Sequence, residues 1–394
     1  MCHFKTDIGA AGTNVPIREK AHSGVSPAGA AKNAAQGISL KVLLMQDFQT
    51  AASVLAHRLP HSAKPHSRIL PQRRKDMQII SGTTQFQIPE ETATAIGKFD
   101  GVHLGHQKIL EMVFRQREKG RRTAVFTFDP SPAVFFSKRG EEVRELSTRE
   151  EKRRLFAGMG VDYLIEFPMN EKTAGTEPED FVRRILFGQM HARYIAAGDD
   201  LSFGAGGRGN FTLVRQLGAS LGFEAEQVSK VRIDGVVVSS TYIRVLVERG
   251  EMERASRFLG RPYQILGTVR HGNQIGRTIG IPTLNQIPEE GKLLPPFGVY
   301  YSDVLLDGRI YHGMTNIGVK PTIREGKVPG KQPAVTVETY LYDFDGDVYG
   351  EKVLTSLYTF RRSERKFASL SDLKAQMQRD IEAGREFHRG RDCR

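Results

Sequence analysis

The chain has 394 residues, 39% of them hydrophobic, and a formal net charge of +12. That is more than one small core needs and about right for two or three domains; no apolar run approaches the roughly 18 residues of a membrane span, and two cysteines, Cys2 and Cys393, exclude a disulfide framework or a cysteine-built zinc site and point to a reducing, intracellular setting. The charge invites a polyanionic partner, but eleven basic against four acidic residues precede Met77, so seven of the twelve excess charges lie ahead of the part that reads as folded.

Residues 1–76 are rich in Ala, Ser, Gly, His, Lys and Arg, show no sustained period and read as largely disordered, with one stretch, FQTAASVLAHRL, suited to a short amphipathic helix. A basic, acid-poor extension of this kind is either an organellar transit peptide or the product of an upstream start codon. The second fits better, because MQIISGTTQF at Met77 reads as a start leading straight into a strand.

From Met77 to about Gly260 strands and helices alternate. TAIGKFD reads as a strand ending in a turn; Ile109, Leu110, Val113 and Phe114 then share a helical face, with Gly120 as its stop. TAVFTF (123–128) is a buried strand closed by DPSP. Thr148 and Glu151 form a capping-box pattern ahead of Leu155, Phe156 and Met159. DYLIEF is the next strand, Phe181, Val182, Ile185 and Leu186 mark a helix, RYIAAG is a strand, and STYIRVLVERG is a helix capped by Ser239 or Ser240. This β/α alternation predicts a doubly wound parallel sheet, whose ligands bind beyond the carboxyl ends of the strands.

After LGRPY (259–263) strand-like runs take over: QILGTVRHG, GVYYSDVLL, RIYHGMTNIG and AVTVETYLYDF, with Asp307-Gly308 and Asp345-Gly346 as hairpin signals. Residues 261–365 read as a small antiparallel β-barrel, followed from about Ser371 by a C-terminal helix whose Leu373, Met377 and Ile381 cover an apolar surface. The chain therefore divides into an extension (1–76), an α/β module (77–260) and a barrel module (261–394).

The turn Gly101-Val102-His103-Leu104-Gly105-His106 has three readings. His103 and His106 are spaced for zinc on a helix face, but no third ligand stands nearby. They also fit as caps inside a packed turn. The third reading uses every residue: a strand hands over to a helix, whose free N–H groups and positive dipole end suit phosphate. The glycines admit the nucleotide, and the histidines donate to charge building during displacement. The nearby GAGGRG (204–209) matches G-x-G-x-x-G, yet follows an Asp-Asp loop rather than a strand, and reads as a glycine-rich surface loop.

In the barrel, HGNQIGRTIGIPTLN (271–285) is either a hairpin with a proline turn or a flap over ATP phosphates built on Gly272, Gly276 and Gly280. Thr283 and Asn285 then offer hard oxygen ligands for Mg²⁺. Glu338, facing opposite to Val337 and Thr339 on one strand, is either solvent-facing or a placed carboxylate. Arg277 and Arg361 are candidates for phosphate contacts. DFDGDVYGE (343–351) fails the calcium-loop template, with Gly at its fourth and Val348 at its sixth position, and reads as a hairpin turn.

The first of these turns resembles the H-x-G-H signature of the nucleotidyltransferase superfamily. With GDDLSFG (198–204) and VSSTYIR (238–244), it is similar to the adenylyltransferase half of the prokaryotic bifunctional riboflavin kinase/FMN adenylyltransferase family; PTLN and the strand around Glu338 resemble its kinase half. The resemblance covers roughly Met77 to Phe387. It implies a nucleotidyltransferase-like fold, and two Mg²⁺- and ATP-dependent steps: riboflavin to FMN, with Glu338 as catalytic base, then FMN to FAD with release of pyrophosphate. It places Gly97, Gly101, His103 and His106 on the reacting phosphates. Ser239, Ser240, Thr241 and Arg244 fall on the triphosphate or pyrophosphate. Asp199 and Asp200 fall on flavin, nucleotide or Mg²⁺, and Phe128, Asp129 and Arg361 on flavin. Lys98, Ser131 and Tyr242 stand where the family usually has Asn, His and Arg. The expectation is a cytoplasmic enzyme, or an organellar one if residues 1–76 are a transit peptide, with no membrane partner. The rivals are a kinase with a weakened adenylyltransferase module, and a basic nucleic-acid-binding protein, which lacks the interleaved aromatic and basic residues of single-strand binders.

Overall fold

The computed structural model describes residues 77–138, 142–272, 275–278, 280–319 and 335–393, without the side chains of Ile275 and Arg277. The expectations for residues 1–76 and for the Arg277 side chain lie outside these described residues.

Six parallel strands build the first module: β1 (Gln78–Ser81), β2 (Thr92–Ile96), β3 (Arg122–Asp129), β4 (Tyr163–Pro168), β5 (Ala192–Gly198) and β6 (Glu224–Val228), in the order β1-β4-β3-β2-β5-β6. Strand alternation sends one set of side chains to each face. Ala93, Ala95, Val125, Leu164 and Ala196 meet helices α1 (Leu104–Arg115) and α2 (Arg149–Met159). Ile96, Phe126, Ile165 and Ile195 meet the helix Phe181–Gln189 and α3 (Phe211–Leu221). From β2 the chain adds β3 and β4 on one side, then returns to lay β5 and β6 on the other. The order reverses between β2 and β5, so the expected doubly wound sheet has its switch point at those two carboxyl ends, where sheets of this kind bind ligands.

The local signals explain most boundaries. Gly120 ends the α1 segment in the left-handed conformation, and the Thr148–Glu151 capping box opens α2. Phe181, Val182, Ile185 and Leu186 are buried as expected, in a helix of i→i+5 geometry. Residues 211–228, to which the pattern assigned no element, form α3, capped by Asn210, and edge strand β6, whose mostly polar EAEQV gives no alternation to read. The GAGGRG loop is a tight hairpin tip in which a Cβ on Gly204 would lie 2.9 Å from Pro178.

Two helices, α4 (Ser240–Glu248) and α5 (Met252–Leu259), lead into the second module. There β7 (Tyr263–Arg270), β8 (Leu284–Pro288), β9 (Gly298–Leu306), β10 (Arg309–Val319), β11 (Val335–Leu341) and β12 (Lys352–Ser363) close a barrel in the order β7-β8-β11-β10-β9-β12. Its interior holds Ile265, Ile317, Val337 and Leu357, and two fully bonded polar chains: Ser302–Thr315–Thr339, and Thr355–Gln286. The apolar cluster continues from the barrel onto Ile243, Leu246, Val247, Met252 and Phe258, so the linking helices and the barrel share one core.

Two expectations need correction. Asp307-Gly308 makes a tight hairpin with both residues at positive φ, but Asp345-Gly346 and the loop 343–351 do not form one. β11 and β12 are not neighbours in the barrel, so that loop crosses between separated strands. The C-terminal helix is α6 (Leu370–Asp392), capped by Ser369, and its fully buried positions are Asp380, Gly384 and His388; Leu373, Met377 and Ile381 are half-buried. Asp380 is held by Arg362 at 2.8 Å, while Ile381 packs on the Val299–Met314–Tyr342 cluster as expected and Phe387 stacks on Tyr301, so this helix docks through polar anchors as well as apolar contacts.

Candidate active sites

At the switch point the backbone is forced through a tight path. Phe99 (φ 52°), Gly101 (φ 79°) and Val102 (φ 38°) all sit in left-handed territory, and Phe99 and Val102 are completely buried, so packing holds the strain. A Cβ on Gly101 would come within 3.0 Å of Leu146. His103 is the N-cap of α1: its Nδ1 accepts from the His106 N–H at 3.4 Å, and the two imidazoles stack at 3.7 Å. Burial, with Arg261 nearby, lowers His103 to about 4; burial, with His103 and Arg261, holds His106 well below the ordinary range. Both rings are therefore neutral donors, and the His106 Nδ1 has no partner among the described residues.

The second helix start lies alongside. Ser239 caps α4 by accepting from the Tyr242 N–H (3.3 Å), and the Ser240 hydroxyl donates to the Asp100 carbonyl (2.8 Å). A Cβ on Gly105 would be 3.7 Å from the Val238 carbonyl, which sets the two N-termini side by side. Arg244 donates to Asp100 Oδ2 at 2.5 Å, while Asp100 Oδ1 accepts from the Ser147 N–H. Thr241 is exposed at the same end. Gly97 ends β2, Asp199 and Asp200 follow β5 as exposed carboxylates, and the Ile96–Ala197 register brings those ends together. Asp129 closes β3 on the other side, tied to Arg149 at 2.7 Å, and Phe128 packs edge-on against Phe126. Ser131 caps a short helix, and Tyr242 receives Arg254.

Sequence reasoning passed over the residues that brace this turn. Arg261 donates to the carbonyls of Gly101 (2.8 Å) and Val102 (3.2 Å), and Gln107 to those of Val102 and Leu259. Asp100 was visible inside KFDGVHLGH, but its partners Ser147 and Arg244 are far away in the chain. A cavity of about 560 Å³ opens beside Arg244, lined by Glu142, Arg144 and Leu293 to Phe297; its lining includes neither histidine nor Glu338.

The barrel site is a row across one outer face. Register pairs Asn285 on β8 with Glu338 on β11, and Glu338 with Asn316 on β10; Val337 and Thr339 point inward and are fully buried. Directly paired side chains lie within about 5.5 Å at Cβ, so Glu338 is flanked by two carboxamides. Asn316 donates to Glu364 at 3.1 Å. The Asn285 Oδ1 is buried without a hydrogen-bond partner among the described residues, an orphaned acceptor whose need a hard cation would meet. Gly272 lies against that carboxamide, where a Cβ would be 2.2 Å from it, and Gly276 lies near the half-buried Thr283. Gly280 turns the chain at φ 78°. The donor set therefore fits Mg²⁺. Arg361 is not part of this row: it is exposed where β12 slips register against β9, on the far side of the barrel from β11, with two strands between them either way round.

A parallel sheet whose switch point carries paired helix starts and neutral histidines is the architecture of a nucleotidyltransferase, here fused to a barrel with its own carboxylate site. The FAD synthetase family model matches residues 85–242 and the riboflavin kinase model residues 259–388. A bifunctional riboflavin kinase/FMN adenylyltransferase of Listeria monocytogenes is 36% identical over 294 residues, covering 74% of this chain and 91% of its own. That of Escherichia coli K12 is 35% identical, covering 79% and 98%. Among solved structures, a macrolide-efflux protein from Streptococcus pneumoniae matches with a TM-score of 0.68 at 27% identity, over 79% of this chain and 99% of that one; among the described residues no helix is long and apolar enough to cross a membrane. The chain belongs to the bifunctional riboflavin kinase/FMN adenylyltransferase family. It is a transferase with a matching module for each activity, and riboflavin, FMN and ATP are the family's substrates.

Proposed function

We propose that the two reactions run at separate sites, adenylylation in residues 77–260 and riboflavin phosphorylation in residues 261–394. What supports this most is the segregation of the donor groups: the histidine turn stands at a parallel-sheet switch point, whereas Asn285 and Glu338 are neighbours on the barrel.

In the barrel, Glu338 accepts the proton of the riboflavin 5′-hydroxyl as that oxygen attacks the γ-phosphorus of ATP and ADP leaves. Thr283 and Asn285 would hold Mg²⁺, which, when bound, shields phosphate charge. The Gly272–Gly280 segment and Arg277 cover the phosphates. In the α/β module the FMN phosphate attacks the α-phosphorus of ATP and pyrophosphate leaves. No general base is required, because a phosphate monoester with a second pKa of about 6 is already largely dianionic. The turn Gly97–Gly101 admits the phosphates; His103 and His106 donate N–H groups to the developing charge without taking protons themselves. Ser239, Ser240, Thr241 and Arg244 hold the triphosphate and then pyrophosphate, Asp199 and Asp200 bind nucleotide or metal, and Phe128 and Asp129 border the flavin. The reading is of a cytoplasmic enzyme, in keeping with a chain whose only cysteines are Cys2 and Cys393, or of an organellar one if residues 1–76 are a transit peptide.

The test is chromatographic separation of the products formed with ATP and Mg²⁺ in two parallel reactions, one supplied with riboflavin and read as FMN, the other supplied with FMN and read as FAD. His106→Ala is expected to lose FAD formation, by about a hundredfold or more, and to keep riboflavin phosphorylation. Glu338→Gln is expected to do the reverse. A folded variant that loses both activities overturns the two-site reading.

A further inference from the structure

Away from both sites, where the last turns of α6 cross the β9–β10 hairpin, three side chains of metal-ligating type converge. Asp303 and His312 are directly paired across the hairpin, and His388 comes down on them from α6, only 2% exposed. One ligand atom from each lies within 4.8 Å of the others.

The outer nitrogens of both imidazoles are already engaged. His388 Nε2 lies 3.3 Å from the Gly313 carbonyl, to which it can only donate, and this leaves Nδ1 as the free lone pair. That Nδ1 is buried without a hydrogen-bond partner and lies 3.6 Å from Asp303 Oδ1. Two lone-pair atoms facing each other across such a gap is an unfavourable arrangement that a cation between them relieves. His312 Nε2 lies 3.0 Å from the Asp392 carboxylate, and its Nδ1 lies 2.7 Å from the same Asp303 oxygen. A histidine whose far nitrogen donates to a carbonyl or carboxylate is the usual outer arrangement of metal-bound imidazole. Tyr358 (2.7 Å) and Arg391 (2.8 Å) occupy the other oxygen, Oδ2, so Oδ1 is held only by the imidazoles, and a cation would take the place of its hydrogen bond with His312 Nδ1. The Arg391 guanidinium, 3.4 Å from His312 Nδ1, opposes a cation. It selects for an ion with strong bonds to imidazole over a hard, oxygen-seeking one.

We propose that Asp303, His312 and His388 bind one divalent transition-metal ion, of which Zn²⁺ is the best fit, and that this ion pins the end of α6 to the β9–β10 hairpin. The proposal is independent of the assignment of the two catalytic sites.

The experiment uses the full chain without an affinity tag, stripped with EDTA and titrated with Zn²⁺ or Co²⁺ in excess Mg²⁺. Expected are one ion retained per chain after desalting, a visible Co²⁺ band of a nitrogen-ligated site, and a raised thermal midpoint. His388→Gln and His312→Gln should each weaken binding roughly tenfold or more, and His191→Gln should leave it unchanged. A wild-type chain that retains no ion overturns the proposal without recourse to any variant. So does metal retained equally by both variants, or metal lost instead on His106→Gln.

Discussion

A single proton decides what the two histidines of the α/β module can do. His103 is buried as a neutral N-cap and titrates near 4, whereas the unfolded chain protonates it near 6.5. Between those values the unfolded state binds the extra proton, so the contribution of this residue is whole above pH 6.5 and is lost as pH falls toward 4. Two and a half units correspond to on the order of 3 kcal/mol. Thermal melts between pH 7 and pH 4 are expected to show a falling midpoint whose slope lessens in His103→Asn, since Asn keeps the cap. An unchanged slope would assign the effect elsewhere. The same argument makes the pair hydrogen-bond donors rather than cations, and it is Arg261, not a histidine, whose positive charge bonds the carbonyls of the turn.

At the scale of elements, the α/β site depends on two helix starts being held in register. The N–H groups of α1 and α4 face one crevice because Asp100 ties them: its carbonyl takes Ser240 and its carboxylate takes Arg244. Ser239→Ala removes the α4 cap. Loss of an N-cap costs about 1 kcal/mol, measurable by urea denaturation, and the larger effect is expected on adenylylation, with a raised KM for ATP and unchanged riboflavin phosphorylation. Equal loss in both reactions would mean that α4 serves only the common core. Much of this was legible: the glycines, histidines and serines of both turns stand in short stretches, and local backbone demands choose those residue types. The Asp100 clasp was not, because Arg244 is 144 residues away and no local period reports such a pairing.

At the scale of the whole molecule, the modules are locked by a buried ion pair. Glu151, which the sequence offered only as a capping-box residue, accepts from the Thr148 N–H, the Leu266 N–H of the barrel and Lys292 Nζ at 2.6 Å. The pair is 4% and 1% exposed, and Lys292 also lies over the Tyr263 ring. Burial pulls the lysine below its ordinary range, opposed by Glu151. Removing one partner of such a pair leaves an uncompensated charge and costs about 3–5 kcal/mol. Glu151→Gln is therefore expected to destabilise the chain by that order in chemical denaturation, and to depress both activities together. Full stability in this variant would show that the shared apolar core alone joins the modules.

The sequence by itself determined most of the succession of strands and helices, residues 211–228 excepted, the place of the glycine–histidine turn between a strand and a helix, the opposed faces of Glu338 and Val337, and the change from β/α alternation to strands near residue 260, because each follows from backbone periodicity or from residues a few positions apart. Tertiary structure alone decided which strands are neighbours, and with that the row Asn285–Glu338–Asn316, the exclusion of Arg361 from it, the Asp100 clasp, the Glu151–Lys292 lock and the polar anchoring of α6. Those depend on register and closure over separations of tens to more than a hundred residues, where burial and charge pairing choose the partners and the local pattern is the same whichever partner wins.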